Sequence, residues 1–304
     1  MAWLIAAFAF ILFTALALPR YRRRETRLFS SLLLLGGPVL LYLIMTMHSL
    51  FYYPDHFQYD TPERVGLAFE KVTFLSMDGT RLSGWFIPAE GFDRPREAKG
   101  TVIHLHGNAQ NMTAHWQFVD WMPMRGFNLF VFDYRGYGES EGTPEPKGVF
   151  EDAVSALDYV RSRSDVDSTR LLVFGQSLGG TVAIAAAGAS PVGIRAVAAE
   201  APFYSYSRIA NDHFPGAGGL MDDTYSASNY VSTLSPIPLL LVHGTLDRVV
   251  PYSHSISLLS EAAEPRRLVT IDGGEHVDAL TPRHGETYRN ELAGFFEEAL
   301  KRPL

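Results

Sequence analysis

From residue 70 onward the sequence alternates between short runs dense in β-branched, aliphatic and aromatic side chains and longer stretches of helical composition. The short runs are 70–75, 81–87, 101–105, 128–132, 170–174, 196–199, 238–242 and 268–271. Asp78-Gly79 separates the first two and signals a hairpin turn. The later runs are nearly uniform in apolar character, as buried parallel strands are, rather than alternating in and out. Helical stretches lie between them at 114–124, 147–162, 178–189, 253–262 and 283–300. An antiparallel start followed by repeated β-α units predicts an α/β domain with eight strands in a mostly parallel sheet flanked by helices. No internal repeat is apparent. Residues 203–235 break the rhythm: they hold no strand pattern and carry six aromatic residues, among them Phe203, Tyr206, Phe214 and Tyr230. A connection of that length is either a cap over a site or a packed irregular segment.

Ahead of this body stand two apolar runs. Residues 2–18 carry no charge, and neither do residues 28–53, although Gly36, Gly37 and Pro38 interrupt the second run. A helix needs about 20 residues to cross the hydrocarbon core of a bilayer. The second run is long enough, the first borderline, so one or two transmembrane helices are expected in an N-terminal anchor over 1–53. Trp3 and the cluster Phe51, Tyr52, Tyr53 suit the membrane interfaces. Arg20, Arg22, Arg23, Arg24 and Arg27 lie between the runs, with only Glu25 against them. Cytoplasmic loops carry such excess positive charge, which leaves the body extracytoplasmic, as on a bacterial inner membrane. Two alternatives are weaker. Ala15-Leu16-Ala17 has the small-residue pattern of a signal-peptide cleavage site, but no basic residue precedes the run. Buried core helices would rarely be uncharged for so long.

Charge and composition exclude other classes. Of 26 basic and 33 acidic residues, 21 and 32 remain once the five arginines and Glu25 are set aside, a net of −11. A nucleic-acid binder needs a basic face. There is no cysteine, hence no disulfide, thiolate metal site or thiol nucleophile. Two membrane runs without an intramembrane acid or base, beyond His48, give little support to transport.

The chemistry is concentrated where strands end. Gly175-Gln176-Ser177-Leu178-Gly179-Gly180 lies between the fifth strand and an alanine-rich helix. A serine on so sharp a strand-to-helix turn is pushed clear of the sheet, and glycines are needed where side chains would collide. The helix N-terminus behind it favours developing negative charge. Such a serine needs a base, and the base an orienting acid. Asp247 follows the seventh strand in His243-Gly244-Thr245-Leu246-Asp247, and His276 follows the last in Gly273-Gly274-Glu275-His276. Both occupy strand C-terminal ends, where open α/β sheets place their sites. Of the other nine histidines none stands just past the last strand as His276 does, and Glu200 after the sixth strand is the fallback acid. An oxyanion hole needs two N–H groups. Leu178, next to the serine, supplies one, and the loop His106-Gly107-Asn108-Ala109 the other, with Asn108 ahead of Ala109 as donor. His104 and His106 share one strand face and invite a metal reading, but 107–111 adds no aspartate or histidine. No metal or cofactor is expected. Asp133-Tyr134-Arg135-Gly136-Tyr137-Gly138-Glu139-Ser140 reads as an ionic and turn scaffold, or a loop beside the site.

These motifs together, His104-Leu105-His106-Gly107-Asn108, Asp133-Tyr134-Arg135-Gly136, Gly175-x-Ser177-x-Gly179, His243-Gly244-x-x-Asp247 and Gly273-Gly274-x-His276, resemble the signature series of the α/β-hydrolase superfamily. The first two are similar to its membrane-associated lysophospholipase and depalmitoylase-like branch. The series spans about 65–300. The resemblance implies an α/β-hydrolase fold over 54–304, with a short cap insertion around 203–235, and the roles of nucleophile, acid and base for Ser177, Asp247 and His276. It implies hydrolysis of a carboxylic ester or thioester of a small-molecule or lipid-like acyl substrate. Depalmitoylating relatives usually carry an acylated cysteine-rich tail, which a chain without cysteine lacks. A prolyl-aminopeptidase-like enzyme is the alternative within this chemistry, holding a substrate amine with Asp212, Asp222 or Asp223, and a silent membrane-tethered binding module the alternative outside it. The oligomeric state is not encoded legibly.

Overall fold

A computed structural model of the protein describes residues 51–303. The apolar runs up to Leu50, and with them the expected transmembrane helices, lie outside the described residues. Among the described residues no helix is long and apolar enough to cross a membrane.

Eight strands form one sheet: β1 (Glu70–Leu75), β2 (Arg81–Ile87), β3 (Thr101–Leu105), β4 (Asn128–Phe132), β5 (Leu171–Gln176), β6 (Ile194–Glu200), β7 (Leu239–Gly244) and β8 (Arg266–Ile271). Their order is β1-β2-β4-β3-β5-β6-β7-β8. β1 pairs antiparallel with β2, and β2 antiparallel with β4; every other pairing is parallel. This is the α/β-hydrolase architecture. In β3, β4, β5 and β7 every residue is buried, because helices cover both faces. The side-chain period of two then sorts residues between the layers. Phe130 and Phe132 face the core under α2 (Pro146–Ser162) and α3 (Leu178–Ala189). α5 (Ser253–Glu261) lies against β7 and β8, and Leu129 and Val131 face the core that also holds Phe296 of α6 (Thr287–Lys301). Losing one such buried aromatic would cost about 3–5 kcal/mol. Edge strand β1 instead alternates exposed and buried along its second half.

Two helical expectations change. The stretch 114–124 is not one helix. Asn111 accepts the Thr113 N–H and starts a single turn, α1 (Met112–His115), which passes into 3₁₀ turns at Trp116–Phe118 and Pro123–Arg125. Pro123 lacks the N–H an α-helix would need, and Gly126 closes the segment at φ 86°. The last helix starts at Thr287 rather than 283, because Pro282–His284 form a 3₁₀ turn ended by Gly285.

Residues 203–235 contain α4 (Tyr206–His213) and three 3₁₀ turns, but no strand. Ala227, Val231 and Leu234 are packed in the core, whereas Asn211 through Gly216 are exposed. The body begins earlier than 54. Tyr52 is 4% exposed and shares a 3.0 Å hydroxyl–hydroxyl hydrogen bond with Tyr206. Phe51 packs edge-on against the Tyr206 ring. These two aromatics therefore belong to the protein core, not to a membrane interface, and only Tyr53 of the cluster is exposed. Tyr53–Pro54 then pair in parallel with Ala109–Gln110, in the loop after β3.

Candidate active site

Ser177 sits at φ 55° and ψ −120° between β5 and α3. An L-residue pays for this backbone with about 1–3 kcal/mol of strain, so the surroundings must impose it. They do so by close approach. A Cβ on Gly175 would lie 2.1 Å from the Gly179 carbonyl oxygen, and one on Gly179 would lie 2.0 Å from the Leu105 carbonyl oxygen. The Ser177 N–H donates to the Glu200 carbonyl at 2.8 Å, tying the turn to β6. The other non-glycine residues with positive φ among the described ones are Gln110, Ala201 and Val277. All lie in loops after strands on the same end of the sheet.

His276 comes from the loop after β8. Its Nε2 is 2.9 Å from Ser177 Oγ, and its Nδ1 is 2.7 Å from Asp247 Oδ2. Asp247 is buried and accepts two further hydrogen bonds. Val249 and Val250 N–H donate to Oδ1 at 2.8 and 2.9 Å. His243 Nε2 hydrogen-bonds the Val250 carbonyl at 2.8 Å and also lies 3.2 Å from Oδ2. Burial alone would push this carboxyl up; the histidines and the Val250 N–H outweigh it and hold the group well below the usual carboxylate range. Asp247 is thus an anion with a single function left open, orienting His276. The proton then belongs on His276 Nδ1, which leaves Nε2 free to accept the Ser177 proton.

Glu200, the fallback acid, does not hydrogen-bond His276. Its carboxylate accepts from Gln176 Nε2 and from the Ala279 N–H, each at 2.7 Å, and it is fully buried. Burial raises its pKa. It braces the serine turn against the histidine loop instead. The competing histidines point elsewhere: His254 to Asp212, His213 to the Val249 carbonyl, and His284 to Asp278. His104 donates to Gln176 at 3.3 Å and lies flat against Phe174. Among the described residues no group of three or more acidic or histidine side chains could hold a metal ion.

The loop after β3 is held in an unusual way. Three consecutive carbonyls are each taken by a different side chain. His106 Nδ1 lies 2.7 Å from the Gly107 oxygen. Tyr137 Oη donates to the Asn108 oxygen at 2.7 Å, as does the Tyr53 N–H at 2.8 Å. His115 Nε2 lies 3.0 Å from the Ala109 oxygen. A trans peptide sets its N–H antiparallel to its C=O. Fixing the Gly107 and Asn108 carbonyls therefore fixes the N–H groups of Asn108 and Ala109. Tyr134 Oη also donates to the His106 oxygen at 3.2 Å. The Asp133–Ser140 segment is thus scaffold and site support together. Arg135 is its ionic part, pairing with Asp152 and Asp78 at 2.8 Å. Sequence reasoning missed His243, Tyr137, His106 and His115 as supports. Only His243 left a signal, standing four residues before the acid on the same strand end.

Residues 114–303 match the model of the prolyl oligopeptidase family. The chain belongs to that family. It is a hydrolase of the α/β-hydrolase superfamily. Similar proteins include YfhR of Escherichia coli K12, 49% identical over 251 residues that cover 82% of this chain and 87% of that protein. The alpha/beta hydrolase domain-containing protein WAV2 of Arabidopsis thaliana is 32% identical over 257 residues, 78% of this chain and 82% of that one. Among solved structures, the Pyrococcus furiosus esterase Pf2001 aligns with a TM-score of 0.66 over 83% of this chain and 98% of that one. At 20% identity that likeness speaks for the fold alone.

Proposed function

We propose that the protein is a membrane-tethered serine hydrolase that cleaves carboxylic esters or thioesters of apolar acyl groups through an acyl-enzyme on Ser177. The observation that carries this reading is the hydrogen-bonded line from Ser177 Oγ through His276 to Asp247, at 2.9 and 2.7 Å. His276 takes the Ser177 proton as Oγ attacks the carbonyl carbon, then donates it to the leaving group. The Leu178 N–H and the Asn108 N–H stabilise the oxyanion, with Ala109 the next donor. Water, deprotonated by His276, releases the acyl group and restores Ser177. No step calls on a metal or cofactor.

The family name raises peptide cleavage as a second reading. An aminopeptidase would need a cap carboxylate to hold the substrate ammonium. Asp212 is taken by His254, Asp223 by Ser207 and Ser226, and Asp222 by Thr224. This favours esters over amino-terminal peptides. The tether rests on the uncharged run that ends where the body begins, with the arginines before it favouring an extracytoplasmic body.

Labelling of detergent-solubilised protein by a fluorophosphonate probe tests the reading. Wild type should label and Ser177→Ala should not. Absence of labelling in folded wild type would bring the silent binding module forward.

A further inference from the structure

We propose that residues 51–59 form a strap that positions the oxyanion loop, so that Tyr53, Asp55 and Asn111 act on catalysis as positioning residues through that loop. The proposal rests on the serine-hydrolase reading for the reaction and on separate observations for the strap.

The first observation is strain. Gln110 stands at φ 62° in the loop after β3. For a non-glycine residue that conformation costs about 1–2 kcal/mol, and it persists only where the surroundings impose it. The strap is what meets the loop there. Tyr53 pairs in parallel with Ala109, and Pro54 with Gln110. The Tyr53 N–H donates to the Asn108 carbonyl at 2.8 Å, and the Asp55 N–H to the Gln110 carbonyl at 3.3 Å. The Asn108 carbonyl and the Ala109 N–H share one peptide, so the first of these bonds leaves the Ala109 N–H facing away from the strap. The second holds the strained residue from its other side.

The second observation is that the strap is clasped at both ends. Asn111 Nδ2 donates to Asp55 Oδ1 and to the Phe57 carbonyl, each at 2.7 Å. Asn111 Oδ1 meanwhile accepts the Thr113 N–H at 3.0 Å and so caps α1. One buried amide therefore joins the strap, the end of the oxyanion loop and a helix, across 56 residues of chain. The Gly138 N–H donates to the Asp55 carbonyl at 2.9 Å, and the Tyr59 N–H to Thr113 Oγ1 at 2.9 Å. At the start of the strap, the buried Tyr52 hydroxyl meets that of Tyr206, the first residue of α4.

The consequence is that seating of the strap is a condition for the oxyanion hole. Without the Tyr53 N–H, Gln110 relaxes toward negative φ, and the peptides before it turn the Asn108 and Ala109 N–H groups off the oxyanion. Among the described residues, the hydrogen bonds of the Ser177, His276 and Asp247 side chains involve no strap residue. The loss therefore falls on the oxyanion hole and spares the triad.

The experiment compares Tyr53→Pro with Tyr53→Ala in full-length, detergent-solubilised protein. Both remove the exposed side chain, and only proline removes the N–H. Asn111→Asp is the second variant: it keeps the oxygen that caps α1 and loses the donors to the strap, which covers the case in which Tyr53→Pro does not fold. Steady-state kinetics on a p-nitrophenyl ester and amide hydrogen exchange of residues 106–112 are measured for each. Since deleting an oxyanion donor outright costs about 10²–10³ in kcat, the proposal expects kcat about tenfold or more below that of Tyr53→Ala, with KM little changed. It also expects severalfold faster exchange over 106–112, as a loosened loop opens more often. Equal kcat and equal exchange, or a change in KM alone, would overturn the strap, and turnover that still depends on Ser177 would leave the hydrolase reading standing. Faster exchange in a protein whose wild type turns over no ester would keep the strap's hold on the loop and sink the hydrolase.

Discussion

Replacing Asp247 by asparagine separates orientation from packing at this site. The substitution keeps volume and shape and changes one thing, the pattern of donors. Asp247 Oδ1 receives two backbone N–H groups, from Val249 and Val250, at 2.8 and 2.9 Å. An asparagine must therefore place its carbonyl oxygen there, because an NH₂ group would meet two donors. Its NH₂ is then forced to the position of Oδ2, 2.7 Å from His276 Nδ1. A donor at that distance makes Nδ1 an acceptor and moves the imidazole proton to Nε2. Nε2 then presents a hydrogen to Ser177 Oγ instead of a lone pair. In a Ser-His-Asp site the wrong tautomer costs about 10⁴ in kcat, equivalent to about 5.5 kcal/mol of transition-state stabilisation. The assay is kcat on a p-nitrophenyl ester in detergent, alongside the rate of fluorophosphonate labelling, for Asp247→Asn and wild type. Thermal stability should move far less than activity, since shape and both backbone hydrogen bonds persist. A fall of less than about tenfold would refute the reasoning, because the orienting role in this arrangement is worth orders more.

Further outcomes follow from other parts of the structure. Tyr137→Phe removes the hydroxyl that fixes the Asn108 carbonyl; since deleting an oxyanion donor outright costs about 10²–10³ in kcat, loosening one should lower kcat roughly tenfold with KM unchanged, checked by steady-state kinetics. Gly179→Ala drives a Cβ to 2.0 Å from a backbone oxygen, so loss of folded protein or destabilisation beyond about 3 kcal/mol is expected, while Gly294→Ala in α6, with open space around its Cβ, should stabilise by about 0.5–1 kcal/mol in urea unfolding. His104 and His115 are buried, which lowers their pKa from 6.5 to about 3 and about 4. Below pH 6.5 the unfolded chain binds protons that the folded one does not, so stability falls with falling pH, by about 4 kcal/mol for the two together at about pH 5. Urea midpoints measured across that range should show the slope, and His104→Gln should flatten it.

Much of the fold could be read from local pattern. Strand runs such as 101–105 and 128–132 declare themselves because residues buried on both faces are apolar throughout. The turn at Ser177 is legible because its constraint is local: a strand, a serine between glycines and a helix are contiguous in the chain. The positions of Asp247 and His276 at strand ends follow from the same local reasoning. Helix 114–124 was less legible, since apolar spacing does not register that the turn capped by Asn111 ends at His115 and that Pro123 interrupts the rest.

What only the tertiary structure decided is which of these groups meet. Ser177 and His276 are 99 residues apart, and Asp247 and His276 are 29 apart. Local reasoning puts Asp247 first and keeps Glu200 as the fallback; the tertiary structure separates them, with Asp247 Oδ2 2.7 Å from His276 Nδ1 and Glu200 buried against Gln176 and Ala279. The three side chains holding the loop after β3 come from its own first residue, from α1 and from the loop after β4, and each looks ordinary in its own segment. Tyr52 reads as the end of an apolar run until its hydroxyl meets Tyr206, 154 residues on. Periodicity records whether a residue is buried, because burial acts on every residue of an element. It does not record a partner, because a single hydrogen bond between distant segments constrains only two positions and leaves no repeat to read.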